Sequence, residues 1–300
     1  MQLMYMAGKG GVGKSVCSAA TGLWASGLGK KALVFSMDPA HSLSDLLEVD
    51  IGNRPIAIRE GLDAVEPDVN TEAQKFYENY RNLFKALFEI MEFQIRPDDF
   101  GVMPGVGELI FMDRLYDVYI EGDYDMVVID SAPTALVLPL LKLPELTTGI
   151  VTRLLGMKSK WTTIFNMLDP GFGDAVLTEV RRLRSKAETM RNALIDPETT
   201  SITVVLIPEK AAVLESERLI NTVESHGVTV GSIIINHVVS GCDCDYCRKR
   251  MSAQGGYIDH IKEKYGEKRI AILPSYGEEM KGKALMVVAK ELYERGQLRM

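Results

Sequence analysis

Residues 8–15 read Gly-Lys-Gly-Gly-Val-Gly-Lys-Ser, and few stretches of eight residues restrict a fold so tightly. Gly8, Gly13, Lys14 and Ser15 stand in the fixed places of a phosphate-loop pattern, with Gly10, Gly11 and Val12 between them. The apolar run Leu3-Met4-Tyr5-Met6 before the loop predicts a short buried strand. Val16 to Leu23, rich in alanine and apolar residues, predicts a helix after it. Strand, glycine loop and helix in that order form a cradle for an anion. Glycine lets the backbone wrap phosphate oxygens without a Cβ in the way, and the N–H groups of the loop and helix start face the charge. In such a loop Lys14 reaches the β- and γ-phosphates, the Ser15 hydroxyl holds Mg²⁺, and the backbone from Gly8 to Val16 surrounds the phosphates of ATP. A second lysine, Lys9, directly follows the first glycine.

Bulk properties narrow the field. Three hundred residues suit a single α/β domain carrying an insertion. Hydrophobic residues at 46% and charged residues at 25% are the proportions of an ordinary soluble globular protein. A net charge of −7 argues against a general nucleic-acid binder, so nucleic acid is not an expected partner. The first strand and loop begin almost at Met1, which leaves no place for a signal peptide and points to the cytoplasm. Asp130, Lys142 and several prolines break the longest apolar stretches below the length of a bilayer span.

Further apolar runs predict strands at Lys31–Met37, Asp125–Asp130, Ile202–Ile207, Ser232–Val238 and Arg269–Leu273, with helical patterns between them. That alternation is the signature of a parallel sheet with helices over its faces. Two stretches depart from it. From about Thr71 to Ile120, and again from about Pro144 to Ile195, helical periodicity continues without a strand. The expected fold is α/β: a mostly parallel, doubly wound sheet with an inserted α-helical subdomain. The nucleotide-binding domain would cover 1–70, 121–143 and 197–300, and the insert 71–120 and 144–196. Ligands of open α/β sheets sit beyond the C-terminal strand ends, which would make nucleotide and insert neighbours.

Two carboxylates close two of these strands. Asp38 begins Asp-Pro-Ala-His-Ser-Leu-Ser-Asp (38–45) after the second strand, where it would orient or deprotonate the water attacking the γ-phosphate. Asp130 begins Asp-Ser-Ala-Pro-Thr (130–134), where it would hold, with Ser15, the Mg²⁺ bridging the phosphates. Each could instead be a solvated turn residue, but two together beside one phosphate loop support each other.

With these segments the chain resembles the arsenical pump ATPase family of P-loop NTPases, which includes the ATPases that deliver tail-anchored membrane proteins. The loop with its early lysine is shared with a wider group. The 38–45 stretch is narrower, and 130–134, Ile234-Ile235-Asn236 and Leu273-Pro274 agree with it. The resemblance implies ATP hydrolysis by a homodimer in which Lys9 crosses to the partner's nucleotide, acting in trans as an arginine finger does. It places Asn236 against adenine and Pro274 at the start of a second adenine-side loop. The chain departs from the family where Ala135-Leu136-Val137-Leu138-Pro139 lack its glycine, histidine and arginine, and where Ser42 replaces an asparagine.

Cys242, Cys244 and Cys247 fall within six residues, and Cys17 stands alone as a small apolar residue on the first helix. The spacing of Cys244 and Cys247 supplies half of a tetrahedral Zn²⁺ site, which a symmetric dimer would complete. Cys242 could add a third ligand within one chain or make a redox switch. The family's tail-anchor branch clamps its dimer with such a pair, whereas its arsenical pumps bind metalloid through cysteines of the helical part. No cysteine lies between Cys17 and Cys242.

Leu83, Phe84, Leu87, Phe88, Met91 and Ile95 form one apolar stripe, and Leu154, Met157, Trp161, Ile164, Phe165 and Leu168 another. Packing inward accounts for both; alternatively, two subunits pool them into a groove for the hydrophobic helix of a client. The run Arg181, Arg182, Arg184 and Lys186 reads as a solvated face or a contact for an acidic partner. The resulting expectation is a Mg²⁺-dependent homodimeric ATPase that binds tail-anchored proteins and delivers them, through a membrane receptor, to the bilayer. An arsenite- or antimonite-efflux motor, a metal or iron–sulfur carrier, and a module that binds ATP with negligible turnover because of the altered 135–139 stretch are the alternatives.

Overall fold

The computed structural model describes residues 1–36, 42–91, 106–130, 171–241, 244–294 and 297–298, with the side chains of 89–91 excepted. The chain divides into two compact units. One comprises Met1–Pro67, Asp123–Leu136 and Ile195–Met300, the other Asp68–Gly122 and Val137–Leu194.

The first unit is built on one eight-stranded sheet. Its strands are β1 (Gln2–Ala7), β2 (Ala32–Ser36), β3 (Ile56–Arg59), β4 (Leu62–Val65), β5 (Met126–Asp130), β6 (Thr200–Leu206), β7 (Val230–Val238) and β8 (Arg269–Pro274). β2 and β5 are buried at every residue, as continuous apolar runs in a covered parallel sheet should be. The order is β3-β4-β2-β5-β1-β6-β7-β8. All neighbours are parallel except β3 and β4, an antiparallel edge hairpin. The mostly parallel α/β expectation is therefore met. The hairpin is an addition to it: its four-residue strands carry Arg59 and Asp63, too little apolar run to announce a strand.

Strand order and register fix where a ligand can sit. From β1 the chain turns to β2 on one side, while β6, β7 and β8 lie on the other. A crevice beyond the strand ends opens at such a reversal. Met6 and Ser36 are both paired with Asp130, so β1, β2 and β5 end level and release their loops at one place. Helix α1 (Lys14–Gly27) starts there, and α2 (Ser42–Leu47) follows β2.

The second unit is helical among the described residues. It contains α3 (Val69–Asn79), α4 (Arg81–Met91), α5 (Val106–Glu121) and most of α6 (Phe172–Ile195). Asp68 caps α3 by accepting from the Thr71 backbone N–H at 2.8 Å. The Glu179 carboxylate caps α4, accepting from Leu83 N at 2.8 Å and Asn82 Nδ2 at 2.7 Å. Leu83 and Phe84 of the first stripe are buried, and Phe84 meets the rings of Phe76 and Phe88. The first turn of that stripe is thus core, while Leu87 and Phe88 stay half-buried. Ile95 and the whole 154–168 stripe lie outside the described residues.

The basic run of α6 is largely occupied within its own unit. The Arg182 guanidinium lies 4.5 Å from the centre of the Tyr80 ring, and Lys186 donates to Asp113 at 2.9 Å and Asp117 at 2.8 Å. Arg184 pairs with Glu188 one turn on. Three of the four cations thus have partners within the helical unit, with Arg182 and Arg184 on an exposed face.

The first unit is completed by α7 (Lys210–Ser225), α8 (Asp245–Lys264), a 3₁₀ turn at Gly282–Ala284 and α9 (Leu285–Ala289). Tyr293, beyond α9, stacks on Trp24 and hydrogen-bonds Thr21 at 2.8 Å, docking the C-terminal segment on α1. Among the described residues no helix is long and apolar enough to cross a membrane.

Candidate functional site

Two glycines give the loop after β1 its shape. At Gly8 (φ +151) a Cβ would lie 2.1 Å from the carbonyl oxygen of Val205 on β6; at Gly13 (φ +94) it would lie 2.3 Å from Asn236 Nδ2. A side chain at Gly8 would have to displace backbone, and one at Gly13 would push Asn236 aside in a left-handed conformation that favours glycine. Gly13 brings no side chain to cap α1, so the helix start presents its first-turn N–H groups to an anion.

The charged and hydroxyl groups gather around that start. Lys14 is 6% exposed, and its ammonium donates to the Lys9 carbonyl at 3.0 Å, folding it over the loop. The Ser42 hydroxyl, at the head of α2, donates to Ser15 Oγ at 3.0 Å. Ser18, close to one turn beyond Ser15, donates to Asp130 Oδ1 at 3.4 Å, with Asp130 1% exposed. Asn236, also buried, donates Nδ2 to the Val12 carbonyl and accepts from the His237 N–H, both at 2.9 Å. The amide therefore ties β7 to the phosphate loop.

His237 turns the chain here with φ +56, a left-handed conformation uncommon outside glycine. Just beyond, Pro274 pairs with Val238 at the end of β8. Gly10, Gly11, Gly13, Lys14, Ser15 and Val16 line a cleft of about 600 Å³, together with Ser42, Asp45, Leu46, His237 and Glu279. Ligand sites commonly have such a volume. N–H groups, a lysine, a hydroxyl and a buried carboxylate are the donors that a triphosphate with a hard divalent cation requires. The residues present fit that group.

Lys9 stands at the rim. Its side chain is 45% exposed, with Nζ 3.9 Å from Glu215 Oε2 on α7. Cys17 lies inside, and burial, with the negative charge of Asp130 second, pushes its thiol up to about 12. Further off, exposed Cys244 caps α8, its Sγ accepting from the Cys247 N–H at 3.4 Å. Among the described residues no group of three or more His, Cys, Asp or Glu could hold a metal. Two thiols from one chain are half of a tetrahedral set. Asp38, His41, Cys242 and 131–139 lie outside the described residues.

Three contributors escape a reading of the sequence alone. Ser18 is separated by one helical turn from Ser15, a spacing that could have marked it. Glu215 sits in a helix whose placement near Lys9 no local pattern gives. Glu66, directly after β4, would have joined Asp38 and Asp130 as a strand-closing carboxylate had that short strand been legible.

The match to known proteins spans nearly the whole chain. Residues 1–294 match the family model described as anion-transporting ATPase. A protein of Aquifex aeolicus, named an arsenical pump-driving ATPase, is 30% identical over 94% of this chain and 76% of its own length. ATPase ASNA1 homolog 2 of Paramecium tetraurelia is 27% identical over 94% of this chain and 90% of its own. ATPase GET3A of Arabidopsis thaliana is 27% identical over 94% and 80%. The chain thus belongs to the anion-transporting ATPase family.

Proposed function

We propose that the chain works as a cytoplasmic, Mg²⁺-dependent homodimer whose ATP cycle opens and closes a hydrophobic site for tail-anchored membrane proteins. The observation that carries this reading is the cysteine distribution. Cys244 and Cys247 stand together at the start of α8, one of them exposed, and the chain has no cysteine between 17 and 242. A pair of thiols so spaced would serve a zinc clamp between two copies. A helical unit without cysteine has no thiolate for arsenite.

Within each subunit, the loop from Gly8 to Val16 would bind the phosphates, and Lys14 would compensate their charge. Ser15 and Asp130 would hold magnesium, which supplies charge neutralisation at the β- and γ-phosphates. Asp38 would orient the attacking water, and Lys9, half-exposed at the rim, would leave Glu215 to reach the partner's nucleotide. Asn236 and Pro274 would border the adenine. Hydrolysis then depends on two copies meeting, and a client needs that meeting too: a membrane anchor is about 20 residues or 30 Å long, more than one small helical unit covers. A membrane receptor would take the client over.

Co-purification tests the proposal. The chain, expressed with a tail-anchored protein and with the same protein lacking its anchor, should retain only the first. Equal retention of both removes the targeting role and leaves the ATPase. The Cys-x-Cys-x-x-Cys spacing keeps one other reading in play, a metal or iron–sulfur carrier, which visible iron–sulfur absorbance after anaerobic purification would favour. Stimulation of turnover by arsenite or antimonite would restore the efflux motor.

A further inference from the structure

We propose that Glu66 is a positioning residue for ATP hydrolysis, clamping the first turn of α2 so that the Ser42 hydroxyl meets Ser15. Glu66 follows β4 and is 1% exposed. Its Oε1 accepts from Leu43 N at 2.9 Å, and its Oε2 accepts from Ser44 N at 3.1 Å and from Ser44 Oγ at 2.6 Å. A carboxylate so deeply buried is tolerated only when its oxygens are well supplied with donors. Here every named donor comes from two consecutive residues of α2. Bonds to an ionised acceptor are shorter and stronger than neutral ones, and two oxygens on two neighbouring residues fix rotation as well as position.

The clamp continues around the helix. Ile51 N donates to Ser44 Oγ at 3.2 Å, and Glu66 N donates to the Gly52 carbonyl at 3.2 Å. Leu43 and Leu47 are buried below. α2 is therefore held from β4 on one side, and on the other it offers Ser42, Asp45 and Leu46 to the nucleotide cleft. The Ser42–Ser15 bond of 3.0 Å is the point where this positioning reaches the phosphate loop. Glu66 itself lines no part of that cleft among its named residues. Its effect passes through α2. The proposal rests on the ATPase activity of the family and is independent of any client or dimer.

Glu66→Gln keeps the volume but turns one acceptor oxygen into an N–H₂ group facing a backbone or hydroxyl donor. Steady-state ATPase assays on the purified full chain should show kcat falling about tenfold or more, while KM for ATP changes less than about threefold. Calorimetric affinity for a non-hydrolysable ATP analogue should stay within the same threefold, since the loop and Lys14 are untouched. Amide exchange should quicken at Leu43 and Ser44 and not in α1. Glu66→Gln combined with Ser42→Ala should be no slower than the slower single variant, because both act on one contact. A folded Glu66→Gln protein with wild-type kcat overturns the proposal, as does a loss in KM and analogue affinity equal to that in kcat. If Glu66→Gln fails to fold, Ser44→Ala decides: a threefold or greater loss of kcat at unchanged KM supports the clamp, and unchanged kcat overturns it. Wild-type turnover measured alongside separates this outcome from a failure of the ATPase assignment.

Discussion

Single side chains at this site do two kinds of work, and variants can tell them apart. Asp38 would act on the water, so Asp38→Asn should lower kcat by about 10²- to 10⁴-fold with ATP affinity kept; single-turnover and binding assays check both. Asn236 braces the loop by donating to the Val12 carbonyl. Asn236→Ala leaves that buried acceptor without its donor, a loss of about 1–3 kcal/mol, and ATP affinity measured by titration should fall about tenfold or more. Cys17 is pushed up to about 12 by burial and then by Asp130. At pH 8, with a chelator present to strip zinc, iodoacetamide should label Cys244 and Cys247 of the folded protein and spare Cys17 until denaturant is added, as peptide mass mapping would show. Because its folded value lies above the unfolded one near 9, its contribution to stability is intact below pH 9 and declines as pH rises from there towards 12.

Between elements, helix contacts in the first unit depend on a few charged groups that pH can reach. Glu217 on α7 is hydrogen-bonded by His260 at 2.8 Å and Lys264 at 2.9 Å, both on α8. Burial pushes its carboxyl up, yet the bonds and charges of Lys264 and His260 outweigh it and hold the group below the usual carboxylate range. A lowered folded value gives stability that is present above the unfolded value of 4.5 and is lost as pH falls through the folded one. Glu217→Gln should therefore flatten the acid limb of a stability curve, and cost less than about 1 kcal/mol at pH 7, because Lys264 and His260 are about half exposed. Thermal melts from pH 3 to 7 measure it. The edge hairpin of β3 and β4 shows what element-level patterns conceal: strands of four residues with charges among them carry no apolar run, yet β4 delivers Glu66 to α2.

At the scale of the whole molecule, the proposed dimer makes hydrolysis second order in protein at low concentration. Lys9→Met should leave ATP binding by each chain within about threefold and cut turnover by about 10³-fold, the lower range for a cation supplied in trans. Cys244→Ser with Cys247→Ser should remove about one zinc per two chains by elemental analysis and shift sedimentation towards the monomer. Much of this protein was settled by order along the chain: the octapeptide at 8–15, flanked by an apolar strand and an alanine-rich helix, dictates a phosphate loop, and alternating runs dictate a mostly parallel sheet. Those are local patterns, written by residues within a few positions of one another. Folding alone decided that Asn236 would grip Val12 across 224 residues, that Ser18 would meet Asp130 across 112, and that Glu66 would hold α2. Strand order sets such meetings, and it follows from how crossovers cover the sheet, a property of the packed chain that no short stretch of it contains.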